Sequence, residues 1–160
     1  MVELATQKKS DISKIAGKYL TFGLAEEEYG LEILTVREIL GVLPVTAVPK
    51  APSFVKGVVN LRGKVIPVVD LRLKFGMDEA EHTDETCIIV VCVGDVEMGI
   101  IVDRVSEVLD IGEADIEPPP EFGASMEVEK NFILGMGKSG EGVTILLDIE
   151  NVLTDVGEST

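Results

Sequence analysis

Few residues in this chain have the types and spacing to do chemistry. Gly135, Gly137 and Gly140 match the G-x-G-x-x-G of dinucleotide-binding loops, and Gly137, Lys138 and Ser139 resemble the end of a phosphate-binding P-loop. Both loops need a helix to follow, because its free N-terminal amides hold the phosphate. Here Gly142 leads straight into the strand-like run Val143 to Leu147, and Phe132 takes the P-loop's first glycine position. A flexible hairpin turn explains the glycines, and no nucleotide cofactor is expected. His82 is the chain's single histidine and sits among Asp78, Glu79, Glu81, Asp84 and Glu85. Calcium-loop spacing is absent, since Ala80 takes the third ligand position and no glycine follows at the sixth. The stretch reads as a solvated acidic linker, with no metal and no His-based triad. What remains is Arg62, a guanidinium at a hairpin tip, suited to contact rather than catalysis.

The elements that position Arg62 are two apolar strands, Val58 to Leu61 and Val65 to Val69, meeting at Arg62, Gly63 and Lys64. Gly63 supplies the positive φ of a tight turn. Pro67 lacks an N–H, so the second strand is expected at a sheet edge or with a bulge there. Asp70 can cap a short helix, Leu71 to Phe75, closed by Gly76. Upstream, Leu20, Phe22 and Leu24 share one face, an acidic turn spans Glu26 to Glu28, and Tyr29, Leu31 and Ile33 return. Thr35 and Glu38 have capping-box spacing, so a helical turn is expected to start there. A second hairpin, Thr86 to Val93 and Val96 to Val102, turns at Gly94 and Asp95.

The pattern occurs twice. Glu28, Gly30, Leu31, Ile33, Val36, Glu38, Ile39 and Leu40 recur 69 residues later as Glu97, Gly99, Ile100, Val102, Val105, Glu107, Val108 and Leu109. Phe54, Gly57, Val65, Asp70, Leu71 and Phe75 recur 78 residues later as Phe132, Gly135, Val143, Asp148, Ile149 and Leu153. The expectation is a mainly β fold: two small SH3-like or OB-like β-barrel subdomains from an internal duplication, sharing a hydrophobic core, with short helices. The copies span about 18–76 and 86–155, after a mobile tail at 1–14. Gly57, Gly63 and Gly99 are read as structural turn positions. Val36, Ile39, Val105 and Val108, at equivalent points of both copies, could be ordinary core or could line a groove between the modules from both sides.

Composition narrows the function classes. Hydrophobic residues make up 46% with aromatics at 4%, so the core is Val, Ile and Leu, which favours strands. The formal net charge of -15 disfavours nucleic acid and direct membrane binding. No run approaches the roughly 20 apolar residues of a membrane span, and the N-terminus lacks a signal-peptide core, so a soluble cytoplasmic protein is expected. Cys87 and Cys92 lie five apart in one strand, with Cα atoms roughly 17 Å apart on opposite faces, and read as reduced core residues.

The run Phe54 to Leu71, with its Lys-Gly, Asn-Leu-Arg-Gly and Pro-Val-Val-Asp-Leu segments, resembles the central signature of the CheW adaptors of bacterial chemotaxis. The resemblance extends from about Lys18 to Leu153 and takes in Glu-x-Tyr-Gly, Gly-Ile-Ile-Val-Asp from Gly99 to Asp103, the Pro-Pro-Pro loop and the final Leu-Asp-Ile. It implies a single CheW-like domain with no enzymatic activity and no cofactor. The implied partners are the regulatory domain of a CheA-like histidine kinase and the cytoplasmic tip of methyl-accepting chemoreceptors, with membranes reached only through those receptors. By position, Val36, Glu38, Ile39, Arg62, Val105 and Val108 would form or support the receptor-facing groove. The alternatives are an adaptor of a chemotaxis-like pathway with another output, such as pili, and a small β-barrel ligand-binding protein or enzyme.

Overall fold

A computed structural model describes residues 14–119 and 132–158; most of the N-terminal tail and Pro120 of the triple-proline loop lie outside them. Eleven strands form two sheets among the described residues. In chain order they are β1 (Gly17–Leu24), β2 (Glu27–Glu32), β3 (Val36–Gly41), β4 (Val55–Leu61), β5 (Lys64–Asp70), β6 (Cys87–Val93), β7 (Val96–Val102), β8 (Arg104–Ile111), β9 (Ile116–Glu117), β10 (Ile133–Ser139) and β11 (Gly142–Leu147). Helix α1 (Leu71–Lys74) follows β5, and α2 (Ile149–Glu158) follows β11.

The first sheet runs β8-β1-β2-β11-β10-β9 and the second β3-β6-β7-β5-β4. Each therefore mixes strands from both sequence copies, so the boundary between the copies is not the boundary between the sheets. The exchange is symmetric. Leu146 pairs with Gly30 and Leu147 with Leu31 in the parallel β11–β2 pair; Val68 pairs with Gly99 and Val69 with Ile100 in the parallel β5–β7 pair. These partners are related by the same offsets, 78 and 69, that the sequence shows. The antiparallel β1–β8 and β6–β3 pairs follow the 69 offset on both sides of their bulges, with Leu20 on Val108 matching Ile89 on Ile39. In each sheet the chain leaving one edge strand returns on the opposite edge. After β8 it forms β9 beside β10, and after β3 Thr46 bridges Val58 of β4. This curls both sheets towards closed barrels.

Side-chain alternation divides the core. Tyr19, Ile111, Ile116 and Leu146 fill the first barrel, while Val59, Ile66, Val68, Ile88, Val90 and Ile101 fill the second. The intervening residues Leu20, Phe22, Leu31, Val69, Ile89, Val91, Ile100 and Leu147 meet in a seam shared by the two sheets. Strands buried on both faces read as unbroken apolar runs, which accounts for Cys87–Val93.

Several sequence expectations change. The central hairpin turns in two residues, since Leu61 pairs with Lys64, and both Arg62 (φ 53) and Gly63 (φ 86) are left-handed. Asn60 Oδ1 accepts from Gly63 N at 2.8 Å and supports that turn. β5 is an interior strand, not an edge; Pro67 is tolerated because β7 pairs with β5 only from Val68 onward. The β4–β5 bulge lies between Val55 and Gly57 instead. The helical turn expected from Thr35 does not form. A one-turn 3-10 helix spans Ile33–Thr35, Thr35 Oγ1 donates back to Glu32 O at 2.7 Å, and Glu38 belongs to β3. Gly57 sits at the bulge and Gly99 inside β7, so neither is a turn residue. Gly99 is needed for close packing, since a Cβ there would lie 2.9 Å from Ile88 Cγ2. The acidic turn is Ala25–Glu26, with Ala25 at φ 54, and Glu27 and Glu28 enter β2. Cys87 and Cys92 are free and half-buried; Cys87 packs against the seam and Cys92 lies outside the buried clusters. Asp70 does cap α1, accepting from Leu73 N at 3.3 Å, and Asp148 repeats this at α2 by accepting from Asn151 N.

Candidate functional site: two edge strands and a hairpin tip

Residues directly opposite in an antiparallel pair point to the same face. Val36 and Ile39 of β3 stand opposite Val91 and Ile89, and Val105 and Val108 of β8 opposite Phe22 and Leu20; all four opposing residues belong to the seam. Two edge strands, one from each sheet, thus carry the apolar face of the seam out to the surface. Val36 and Val105 are partly buried against the seam cluster. Ile39 and Val108, their outer neighbours, are 44% and 51% exposed. The equivalence read from the sequence therefore places these residues in matching environments, two as the margin of the core and two as free apolar surface.

Both edge strands are bulged at the same point, between Val36 and Glu38 on β3 and between Val105 and Val108 on β8. On β8 the bulge is filled by the hydroxyl of buried Thr21, which donates to Glu107 O at 2.7 Å and accepts from Glu107 N at 3.0 Å. A bulge twists an edge away from further strand pairing. These edges therefore offer side chains rather than a backbone ladder.

Glu38 leaves β3 towards the β4–β5 tip, where Arg62 Nη2 donates to Glu38 Oε1. Arg62 is largely exposed while Glu38 is the better covered partner. Around this pair the second barrel's end gathers more charge. Lys64 Nζ pairs with Glu97, and that hydrogen bond is the main reason the Glu97 carboxyl is held below its ordinary range. Arg37 Nη2 reaches Cys92 Sγ at 3.8 Å. Three cations, Arg37, Arg62 and Lys64, thus face two carboxylates in a chain of net charge -15. The corresponding end of the first barrel has Ser106, Gly140 and Gly142 where these cations stand, so the two ends differ in electrostatic character. Sequence reasoning found Arg62 and Glu38 but missed Arg37, Lys64 and Glu97: Lys64 meets Glu97 across the neighbouring strands β5 and β7, and Arg37 comes to this end because β3 curls round to the β4–β5 tip.

The arrangement offers apolar contact and ionic pairing without a nucleophile. Among the described residues no group of three or more His, Cys, Asp or Glu side chains could hold a metal, and no helix is long and apolar enough to cross a membrane. Gly135 and Gly137 lie in β10 and Gly140 (φ 60) in the turn to β11. That turn leads directly into a strand, not into a helix whose N-terminal amides could hold a phosphate.

Comparison with known proteins gives a consistent result. Residues 18–157 match the CheW-like domain. The chain is similar to the chemotaxis protein CheW of Klebsiella aerogenes, at 41% identity over 154 residues covering 96% of this chain and 92% of that one. Identity to the chemotaxis protein CheW of Helicobacter pylori is 34%, over 93% of this chain and 88% of the relative. The crystal structure of the scaffolding protein TtCheW from Thermoanaerobacter tengcongensis superposes with a TM-score of 0.78 at 36% identity, over 87% of this chain and 93% of that one.

Proposed function

The chain belongs to the CheW family, and we propose that it is a non-catalytic adaptor that couples methyl-accepting chemoreceptors to a CheA-like histidine kinase. A chemotaxis scaffold role follows from its relatives, which are named as chemotaxis and scaffolding proteins. The observation that carries the finer reading is the matched exposure of Ile39 and Val108 on two edge strands that extend one apolar seam. A helical receptor tip carries its own apolar stripe and can lie against such a surface, with Val36 and Val105 as its floor and the Glu38–Arg62 pair at its rim. The kinase's regulatory domain, itself CheW-like, would meet barrel edges. Signal transfer is then a coupling free energy: receptor packing shifts the kinase between on and off arrangements held in one complex. Function is cytoplasmic, and membranes are reached through receptors.

Cosedimentation with receptor-containing membranes tests the groove. Val108→Asp and Ile39→Asp place a charge on exposed positions, so each should leave the fold intact and lower membrane-associated protein by roughly tenfold. Wild-type sedimentation by both folded variants would remove the groove from the proposal.

A further inference from the structure

The chain passes between the sheets at two equivalent crossovers, and among the described residues only one is tied down by an ion pair. At the second crossover β7 ends, Asp103 follows, and β8 begins in the other sheet. Asp103 is a hub there. Arg72 of α1 donates to it from Nε at 2.8 Å and Nη2 at 2.6 Å, a two-point grip from the second barrel. From the first barrel, Ala25 N at the β1–β2 tip donates to Asp103 Oδ2 at 2.7 Å, and Asp103 N donates to Gly23 O at 3.0 Å. Arg104 closes the arrangement by donating from Nη1 to Ala25 O at 3.0 Å. It lies so close over Gly23 that a Cβ on that residue would be 2.2 Å from Arg104 Cζ. Arg72 Nη1 also reaches Asp78 O at 3.3 Å, fastening the start of the acidic linker to the same point.

At the first crossover, Ile33–Thr35 between β2 and β3, the duplication puts different residues in these places. Leu34 stands 69 residues before Asp103 and is 95% exposed; Glu150 stands 78 residues after Arg72. Leucine and glutamate make no ion pair. Among the described residues the two barrels are thus joined by an ion pair at one crossover of a near-symmetric molecule, while at the other Ile33 packs against the seam without one. The clamp stands at the root of β8, one residue before Arg104 and two before Val105.

We propose that the Arg72–Asp103 pair is a latch that fixes the angle between the two barrels, and that releasing it lets them move about the Ile33–Thr35 crossover. The proposal concerns the free protein and does not depend on what the protein couples. Val65 and Val143, exposed equivalent positions on the two barrels, serve as spin-label sites after Val65→Cys and Val143→Cys in a background with Cys87→Ser and Cys92→Ser. The unmodified latch should give one narrow distance distribution, Arg72→Ala and Asp103→Asn a shifted or broadened one. Glu150→Ala, at the position equivalent to Arg72, should match the unmodified protein. Amide exchange gives an independent reading, because Arg72 does not itself bond Ala25 N: Arg72→Ala should speed exchange there roughly tenfold. Arg72→Lys, which keeps the charge without the two-point grip, replaces Arg72→Ala if the latter does not fold by circular dichroism. Distances and exchange unchanged in a folded Arg72 variant, or disturbed equally by Glu150→Ala, would overturn the latch.

Discussion

At the scale of single residues, the same residue type is used for different physical reasons, and substitution separates them. Gly57 has φ 143 and a Cβ there would lie 2.0 Å from Thr46 O, a backbone atom that cannot step aside. Gly63 has φ 86 with nothing within 4 Å. Gly57→Ala should therefore cost about 3 kcal/mol or more in urea unfolding and Gly63→Ala about 1 kcal/mol. Asp103 makes a pH prediction. Its carboxyl is held below the ordinary range, chiefly by the hydrogen bond from Arg72 and further by Ala25 N and the nearby Arg104. With the folded value depressed, the unfolded chain binds the proton first, so this stabilisation is complete above the ordinary Asp range and is lost as pH falls below about 4. The difference in stability between wild type and Asp103→Asn should shrink over that acid range and be constant near neutrality.

At the scale of elements, the bulge in β8 is the sharpest test. Thr21 is buried and holds both the N–H and the C=O of Glu107 with one hydroxyl. Its equivalent on β6 is Val90, which serves a directly paired Glu38 and needs no hydroxyl. Thr21→Val should thus cost about 1–3 kcal/mol by leaving Glu107 unsatisfied, despite its matching shape and β-propensity. Elements were legible in the sequence where the signal was local: the hairpins by alternating apolar residues, α1 by Asp70 and Gly76, and the repeat by two constant offsets. Glu38 misled because a capping box and a bulged edge strand share the spacing Thr-x-x-Glu. The interior place of β5 was hidden because its partner β7 is distant in sequence and parallel, and Pro67 sits just outside that pairing. In the candidate site, Val36, Ile39, Val105 and Val108 were visible as repeated positions. Arg37 and Glu97 were not, because Glu97 reaches Lys64 through the parallel β5–β7 neighbourhood and only curling of the sheet brings Arg37 of β3 towards the β4–β5 tip.

At the scale of the molecule, the exchange of strands between copies makes each barrel depend on both halves of the chain. Leu20 and Ile89 are equivalent seam residues on the two sheets. Leu20→Ala and Ile89→Ala should each cost about 2–5 kcal/mol, and by the same mechanism. Tyr19 lies inside the first barrel, Tyr29 lies in the seam beside Phe75, and the chain has no tryptophan, so in a Tyr29→Phe background tyrosine fluorescence reports the first barrel. Val68→Ala, inside the other barrel, should still shift the tyrosine transition together with the circular dichroism transition; separate midpoints would mean that the seam does not unite the barrels. The adaptor account rests on the exposed face of that seam and on the Arg62–Glu38 rim. Its most direct test is autophosphorylation of a CheA-type kinase reconstituted with receptor-containing membranes, with no adaptor, with this protein, and with its folded Arg62→Ala and Val108→Asp variants. The account predicts strong stimulation by the wild type and loss of it in both variants. Kinase output that is the same with and without the wild-type protein would contradict it.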